Sequence, residues 1–391
     1  MIQFAKSDAL ERLPKQFFAD LVIKTNAAIA QGYDVINLGQ GNPDRPTPPH
    51  IVKALQEAAP NPLYHKYSPF RGYDFLKEAI AAFYKREYDV ELDPKHEVAI
   101  LFGSKTGLVE VGSCLLNSGD TVLMPDPGYP DYLSGFALAN LQVEPMPLSQ
   151  ENAFLPDYAS LSQNVLARAK MMILNYPNNP TAVNAPTDFF EETVKVAERH
   201  HLCVVHDFAY GALGFDGKRA RSFLQTPGAK DVGIEMYTLS KTYNMAGWRV
   251  AFALGNRSVI EAIELIQDHY YVSLFGAIQE AAAKALLGAQ SCVQELVARY
   301  EARRNAFFGA AEKIGWHATP SQGSFFGWLP VPHGYTSVSF FEEVLEKTHV
   351  VLAPGVGFGR NGEGFVRIGL LSEPERLVEA VERIGRLHVF D

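Results

Sequence analysis

Cysteine is scarce. The 391 residues hold three, Cys114, Cys203 and Cys292. They lie far apart, form no CxxC pair, and their odd number gives no disulfide framework; no metal site is expected from them. Cys203 sits in the apolar run Leu202-Cys203-Val204-Val205 and reads as a small core residue rather than a nucleophile. Positive charge is also short. Lys+Arg number 35 against 44 Asp+Glu, a net of −9, which disfavours a nucleic-acid partner. No apolar stretch approaches the ~18–20 residues of a membrane span, so no membrane partner is expected. The N-terminal stretch meets Asp8, Glu11, Arg12 and Lys15 early and has no signal-peptide core, so the expected location is cytoplasmic. Internal repeats and low-complexity tracts are lacking as well. What remains is an ordinary globular composition, 47% hydrophobic and 20% charged, which excludes wholesale disorder.

Apolar runs alternate with amphipathic stretches, the pattern of an α/β fold. Residues 98–102, 121–124, 171–175, 202–205 and 236–239 read as buried parallel strands, and 249–254 as an antiparallel return. Helical periodicity marks 75–87, 106–116, 188–201 and 258–287. Asp188 fits an N-cap, with Glu191 as its capping-box partner. The alternation fades after residue 287. A charged helix (291–314), a strand (324–329), a helix (337–348), a strand (365–371) and a last helix (373–387) suggest a smaller α+β domain. The expected division is a large domain over 46–287 and a small one combining 1–45 with 288–391.

The unusual polar residues fall just beyond strand ends, where open α/β sheets bind ligands. Gly103-Ser104-Lys105-Thr106-Gly107 opens a helix whose free N–H groups suit a phosphate. Tyr129, held between Pro127 and Pro130, is placed to stack on a flat ligand. Asn179 offers an amide at a proline-fixed turn. Asp207 closes an apolar strand and needs a cation or donors there, such as a protonated ring nitrogen; a helix cap is its bland alternative. His206 points to the opposite strand face and reads as structural. Lys241 follows another strand, flanked by Ser240 and Thr242 and followed by Arg249. Hydroxyls plus arginine make a phosphate seat, and a lysine beside it can form a Schiff base with an aldehyde. A loop lysine is usually just solvated. Together, however, lysine, carboxylate, aromatic stacker and phosphate cradle describe one cofactor, pyridoxal 5′-phosphate.

These stretches also resemble a known family. NLGQGNPDRPTP (38–48), HKYSPFRG (65–72), GSKTG (103–107), DPGYPDY (126–132), NYPNNPT (175–181), VVHDFAYG (204–211), LSKTYNMAGWRV (239–250) and FVRIGL (365–370) are similar to the class I aminotransferases of the fold-type-I pyridoxal-phosphate enzymes. That resemblance covers nearly the whole chain. It implies a mostly parallel central sheet flanked by helices. It implies that Lys241 holds the cofactor's aldehyde and shuttles the proton, that Asp207 pairs with the ring nitrogen, and that Tyr210 and Asn179 bond the ring oxygen. Tyr129 would stack on the ring. Ser104, Lys105 (through its backbone), Thr238, Ser240 and Arg249 would hold the phosphate. Tyr67 would reach a neighbouring subunit's phosphate, implying a homodimer with shared sites. Arg367 would clamp the substrate carboxylate, with Asn179 beside it and Gly41 closing from the N-terminal side. Ala182 departs from the family's glycine after NNPT.

The runs NYPNNPT, VVHDFAYGALGFDGKRARSFLQTPGAK and YTLSKTYNMAGWRV are similar, further, to the Bacillus-type aminotransferases of methionine salvage, which move an amino group from glutamine to 4-(methylsulfanyl)-2-oxobutanoate. Amino acids and 2-oxo acids are the implied small-molecule partners. Other aminotransferase substrates (N-succinyl-diaminopimelate, alanine or aromatic amino acids) are the alternative, as is a carbon–sulfur β-lyase using the same lysine. A non-catalytic amino-acid sensor would usually carry a basic DNA-binding extension, which this chain lacks. Phe17, Phe18, Tyr33, Tyr271 and Phe325 are candidates for an apolar side-chain pocket, with a place in the core or the domain interface as the alternative for each.

Overall fold

A computed structural model describes residues 1–390. Among the described residues twelve strands run in chain order: β1 (Ile36–Asn37), β2 (Val98–Phe102), β3 (Thr121–Asp126), β4 (Gln142–Pro147), β5 (Ala169–Asn175), β6 (Cys203–Asp207), β7 (Gly233–Thr238), β8 (Val250–Gly255), β9 (Phe326–Pro330), β10 (Val350–Val351), β11 (Ala353–Pro354) and β12 (Phe365–Gly369). Seven of them form the main sheet in the order β2-β8-β7-β6-β5-β3-β4. The β3, β4, β5, β6 and β7 neighbours pair in parallel. Strand β8 runs antiparallel to both β7 and β2, so the main sheet is mixed and the expected return strand is present.

Both sheet faces are covered. On one face Ile100, Leu123, Val204 and Phe252 pack with Phe83, Phe190 and Leu286 from helices Asp74–Tyr88, Thr187–His200 and Gly276–Leu287. On the other, Leu101, Val122, Val205 and Ile234 pack with Val111 and Ile263 from helices Ser104–Leu115 and Arg257–Tyr270. Burial on both faces explains why these strands read as continuous apolar runs rather than as alternating ones.

The second core is built from both ends of the chain. Strand β1 pairs in parallel with β10, and Ile36 and Leu38 pack with Phe307, Phe340 and Leu377. Strands β11, β12 and β9 form a three-stranded antiparallel sheet beside them.

Three expectations need correction. The periodic stretch 258–287 is two helices, Arg257–Tyr270 and Gly276–Leu287, interrupted at 271–275. Asp188 is not an N-cap: the helix begins at Thr187 after Pro186, and Asp188 Oδ1 accepts from the Phe189 N–H within the first turn. The edge strand β4 is not among the expected strands. His206 is fully buried among Phe190, Phe208 and Phe223, with Nδ1 2.8 Å from Glu235 Oε2.

Candidate active site

The carboxyl ends of the parallel strands meet at one cavity of about 670 Å³. Gly41, Ser104, Lys105, Tyr129, Asn179, Asp207, Tyr210, Thr238, Ser240, Lys241, Arg249 and Arg367 all line it. Tyr67 does not. It is 89% exposed and lies beside Tyr64 and Phe275, away from the cavity.

Lys241 sits on a one-turn helix, Leu239–Thr242, that starts where β7 stops. Thr238 caps this turn: its Oγ1 accepts from the Ser240 N–H at 3.2 Å and lies 2.9 Å from Ser240 Oγ. The lysine Nζ donates to Gly41 O at 3.1 Å and stands 5.3 Å from the Phe325 ring. Burial, together with the positive Arg367 and Arg249 nearby, pulls this amine from its ordinary 10.5 down to about 8. A neutral amine is a nucleophile and a base, so the shift suits amine chemistry. The cofactor-free folded protein therefore binds fewer protons than the unfolded chain between about pH 8 and pH 10.5, and Lys241 makes stability rise with pH across that window. Labelling of the cofactor-free protein by an amine-reactive electrophile, followed at Lys241 by peptide mass spectrometry, is expected to show a midpoint near pH 8. A midpoint near that of an ordinary lysine would contradict the site's electrostatics.

Asp207 ends β6, directly opposite Asn175 of β5. Asp207 is 5% exposed. Its Oδ2 accepts from the Tyr132 hydroxyl at 2.8 Å, while Oδ1 is buried with no hydrogen-bond partner among the described residues. Asn175 Nδ2 donates to the Asp207 main-chain carbonyl at 2.7 Å. Burial pushes the carboxyl pKa up, and the bond from Tyr132 opposes that rise.

Arg249 enters β8 with φ of 59°, a left-handed conformation that strains a residue bearing a side chain. Its Nη1 donates to Ala246 O at 2.8 Å. Gly103 faces it with φ of 80°, and a Cβ there would lie 2.2 Å from Arg249 Nη2. Helix Ser104–Leu115 starts at this point with no side-chain cap, so its first N–H groups and the Arg249 guanidinium offer donors to one anion. Gly103→Ala is expected to displace the guanidinium and weaken pyridoxal-phosphate affinity about 10-fold or more, the loss of one charge-assisted contact. Unchanged affinity in an absorbance titration would refute the cradle.

Arg367 projects from β12, between the rings of Phe326 and Phe358, whose centroids lie 4.0 and 4.6 Å from the guanidinium carbon. Nη1 donates to Asn179 Oδ1 at 2.9 Å and Nη2 to Gly39 O at 3.0 Å, while Nε is buried without a partner among the described residues. Burial lowers its pKa from 12.5 to about 10. Tyr129 bonds Asp131 at 2.5 Å, and Lys105 Nζ pairs with the same carboxylate at 2.7 Å. The Tyr210 ring packs edge-on against Phe325 and Phe326.

The side-chain wall differs in part from expectation. Phe17 and Phe18 line the cavity, joined by Phe326 and Phe358. Tyr33, Tyr271 and Phe325 do not: Tyr33 stacks on His349, Tyr271 bonds Glu110 at 2.7 Å, and Phe325 lies fully buried behind the wall. Phe358 had no legible signal, because it closes the short 3-10 helix Gly355–Phe358, whose glycine-rich sequence shows no apolar periodicity. Ala182, where the family pattern has glycine, adopts φ of 61° and is held by a bond from its N–H to Asn178 O at 2.9 Å.

The donor set fits pyridoxal 5′-phosphate. The partnerless Asp207 oxygen suits a ring N–H. Gly103, Arg249 and the helix start at Ser104 form an anion seat. The lowered amine of Lys241 suits an aldehyde. Among the described residues no His/Cys/Asp/Glu group is arranged to hold a metal.

Comparison with known proteins points the same way. The model of the family "Aminotransferase class I and II" matches residues 33–384. The L-glutamine–4-(methylsulfanyl)-2-oxobutanoate aminotransferase of Bacillus subtilis (strain 168) is 62% identical over 389 residues, covering 100% of this chain and 98% of the relative. An LL-diaminopimelate aminotransferase of Moorella thermoacetica is 44% identical, with 97% of each chain covered. Among solved structures, substrate-bound BacF from Bacillus subtilis superposes with a TM-score of 0.95 at 47% identity, covering 100% of this chain and 99% of that one.

Proposed function

The chain belongs to the class I and II aminotransferases, and on that footing we propose that it carries an amino group from glutamine to 4-(methylsulfanyl)-2-oxobutanoate, giving methionine, with pyridoxal 5′-phosphate as cofactor. The convergence of Lys241, Asp207, Arg249 and Arg367 on one cavity is the observation that carries the aminotransferase reading. The acceptor rests on the relative named as an L-glutamine–4-(methylsulfanyl)-2-oxobutanoate aminotransferase and on the aromatic wall of Phe17, Phe18, Phe326 and Phe358. Among the described residues only two arginines, Arg249 and Arg367, reach the cavity. One is needed for a phosphate and one for the α-carboxylate. No arginine of this chain is left for a second substrate carboxylate, which favours an apolar side chain over a dicarboxylate.

Ser104, the Lys105 backbone, Thr238, Ser240 and Arg249 would hold the phosphate, and Tyr129 would face the ring. Asn179 and Tyr210 would bond the ring oxygen, and Asp207 Oδ1 the ring nitrogen. The cofactor, when bound, supplies an aldehyde that condenses with amines and a ring that withdraws electrons from the carbon bearing the nitrogen. The protein supplies the rest. Arg367 binds the carboxylate, and Asn179 Oδ1 and Gly39 O fix the guanidinium. Phe326 and Phe358 exclude water from the guanidinium faces. Lys241 Nζ takes a proton from the substrate α-carbon as general base and returns one as general acid. Because donor and acceptor use the same carboxylate clamp in turn, the kinetics should be ping-pong.

We propose further that the enzyme is a cytoplasmic homodimer. Tyr67, Leu63, Phe70, Tyr270 and Phe275 are exposed near one another, and Ser68 Oγ bonds Leu274 O at 2.8 Å to tie the two segments together. An apolar band of this kind suits burial against a second copy, with Tyr67 reaching the partner's cavity. No helix among the described residues is long and apolar enough to cross a membrane.

The test is glutamine against a panel of 2-oxo acids. 4-(Methylsulfanyl)-2-oxobutanoate is expected to exceed pyruvate, oxaloacetate and 2-oxoglutarate by at least about 10-fold in kcat/KM. Preference for a dicarboxylate would refute the substrate. Release of thiol, pyruvate and ammonia from a cysteine thioether, with no keto acid added, would indicate a lyase instead.

A further inference from the structure

Tyr132 is the first residue of helix Tyr132–Leu138 and is 1% exposed. Its hydroxyl donates to Asp207 Oδ2 at 2.8 Å, and its ring meets Tyr129 edge-on at 5.4 Å. It is not among the residues lining the cavity, so whatever it does for the cofactor it does through Asp207. We propose that Tyr132 is a positioning residue for the cofactor's ring nitrogen: its hydroxyl fixes the Asp207 carboxylate, leaving charged Oδ1 as the oxygen that accepts from a ring N–H. The inference rests on the pyridoxal-phosphate reading of the site.

The physical argument has three parts. First, a carboxylate with one anchored oxygen presents the other in a defined direction. Oδ2 is anchored by Tyr132, the main-chain carbonyl is anchored by Asn175 Nδ2, and Oδ1 has no partner among the described residues. Second, burial drives the carboxyl toward its neutral form, and a neutral acid is a poor partner for a protonated ring nitrogen. A hydrogen bond donated to the carboxylate favours the charged form. Third, Tyr132 remains the donor. Its phenol is pushed far above its ordinary range by burial and by the neighbouring negative charge. The adjacent His206 does not anchor the carboxylate, since its ring bonds Glu235 and Tyr176 on the other side of the strand.

The experiment titrates the cofactor-free protein by absorbance with two ligands. One is pyridoxal 5′-phosphate. The other is its 1-deaza analogue, in which C–H replaces the ring nitrogen. Tyr132→Phe removes one oxygen atom and keeps the ring. It is expected to weaken pyridoxal-phosphate binding about 10- to 100-fold, the loss expected for a hydrogen bond to a charged group. Binding of the deaza analogue is expected to stay the same or tighten. Asp207→Asn should show the same discrimination on its own, and adding Tyr132→Phe to it should cost no further affinity. Equal weakening for both ligands would show a packing role and overturn the proposal, as would unchanged pyridoxal-phosphate affinity. Failure of the unmodified protein to bind pyridoxal phosphate would overturn the cofactor reading as well, and the first titration separates that result from the others.

Discussion

Lys241→Ala is expected to lower kcat by about 10⁴-fold or more, because it removes the group that both binds the aldehyde and moves the proton. Three lysines reach the cavity, but they are not equivalent. Lys105 is paired with Asp131 at 2.7 Å, and Lys15 is exposed on the N-terminal segment. Lys241 stands on the rigid turn after β7, between Gly41 O and the Phe325 ring, with its pKa already lowered to about 8. The test is initial-rate amino transfer from glutamine, with borohydride trapping of the cofactor onto protein as a parallel readout. Residual turnover within 10-fold of the unmodified enzyme, or trapping at another lysine, would contradict the assignment. Lys241→Arg keeps the charge but not a neutral amine, and it should be about as inactive.

The legibility of this lysine has a physical cause. Its strand is buried on both faces, so Met236-Tyr237-Thr238 reads as apolar up to the point where Ser240 and Lys241 break the run. Asp207 was legible for the same reason, and so was the convergence of the strand ends. Other features left weaker traces. Strand β4, QVEPMP, carries two prolines and exposed polar residues, which an edge strand tolerates but a pattern search rejects. The break between Tyr270 and Gly276 is hidden because Tyr271, Val272, Leu274 and Phe275 continue an apolar pattern through a non-helical turn. The side-chain wall was half legible. Phe17 and Phe18 reach the cavity because they pack on Gly357, where a Cβ would meet Phe17 at 2.5 Å and Phe18 at 2.8 Å. Nothing in sequence spacing announces that contact. Tyr132 lay inside the quoted motif DPGYPDY beside Tyr129, but only the bond to Asp207 distinguishes it from a core tyrosine.

Arg367→Ala is expected to raise KM for both the amino acid and the keto acid and to lower kcat/KM about 10²- to 10³-fold, as truncation of a buried, hydrogen-bonded charge does. The guanidinium is pre-positioned before any anion arrives. Asn179 Oδ1 and Gly39 O take one N–H from each terminal nitrogen, two aromatic faces enclose the plane, and Nε remains buried without a partner among the described residues. A charge buried in this way is costly in the free enzyme, which is why its pKa falls to about 10. A substrate carboxylate relieves that cost, so removing the arginine weakens both half-reactions alike. Arg367→Lys should recover little, since a single ammonium cannot bond Asn179, Gly39 and a carboxylate from one plane. Phe358→Ala tests the aromatic shell separately: water admitted to the guanidinium face should weaken carboxylate binding, with a smaller rise in KM than Arg367→Ala gives. Unchanged KM values in Arg367→Ala for both substrate types would place the carboxylate clamp elsewhere in the cavity. A rise for the amino acid alone would break the symmetry that a shared ping-pong site requires.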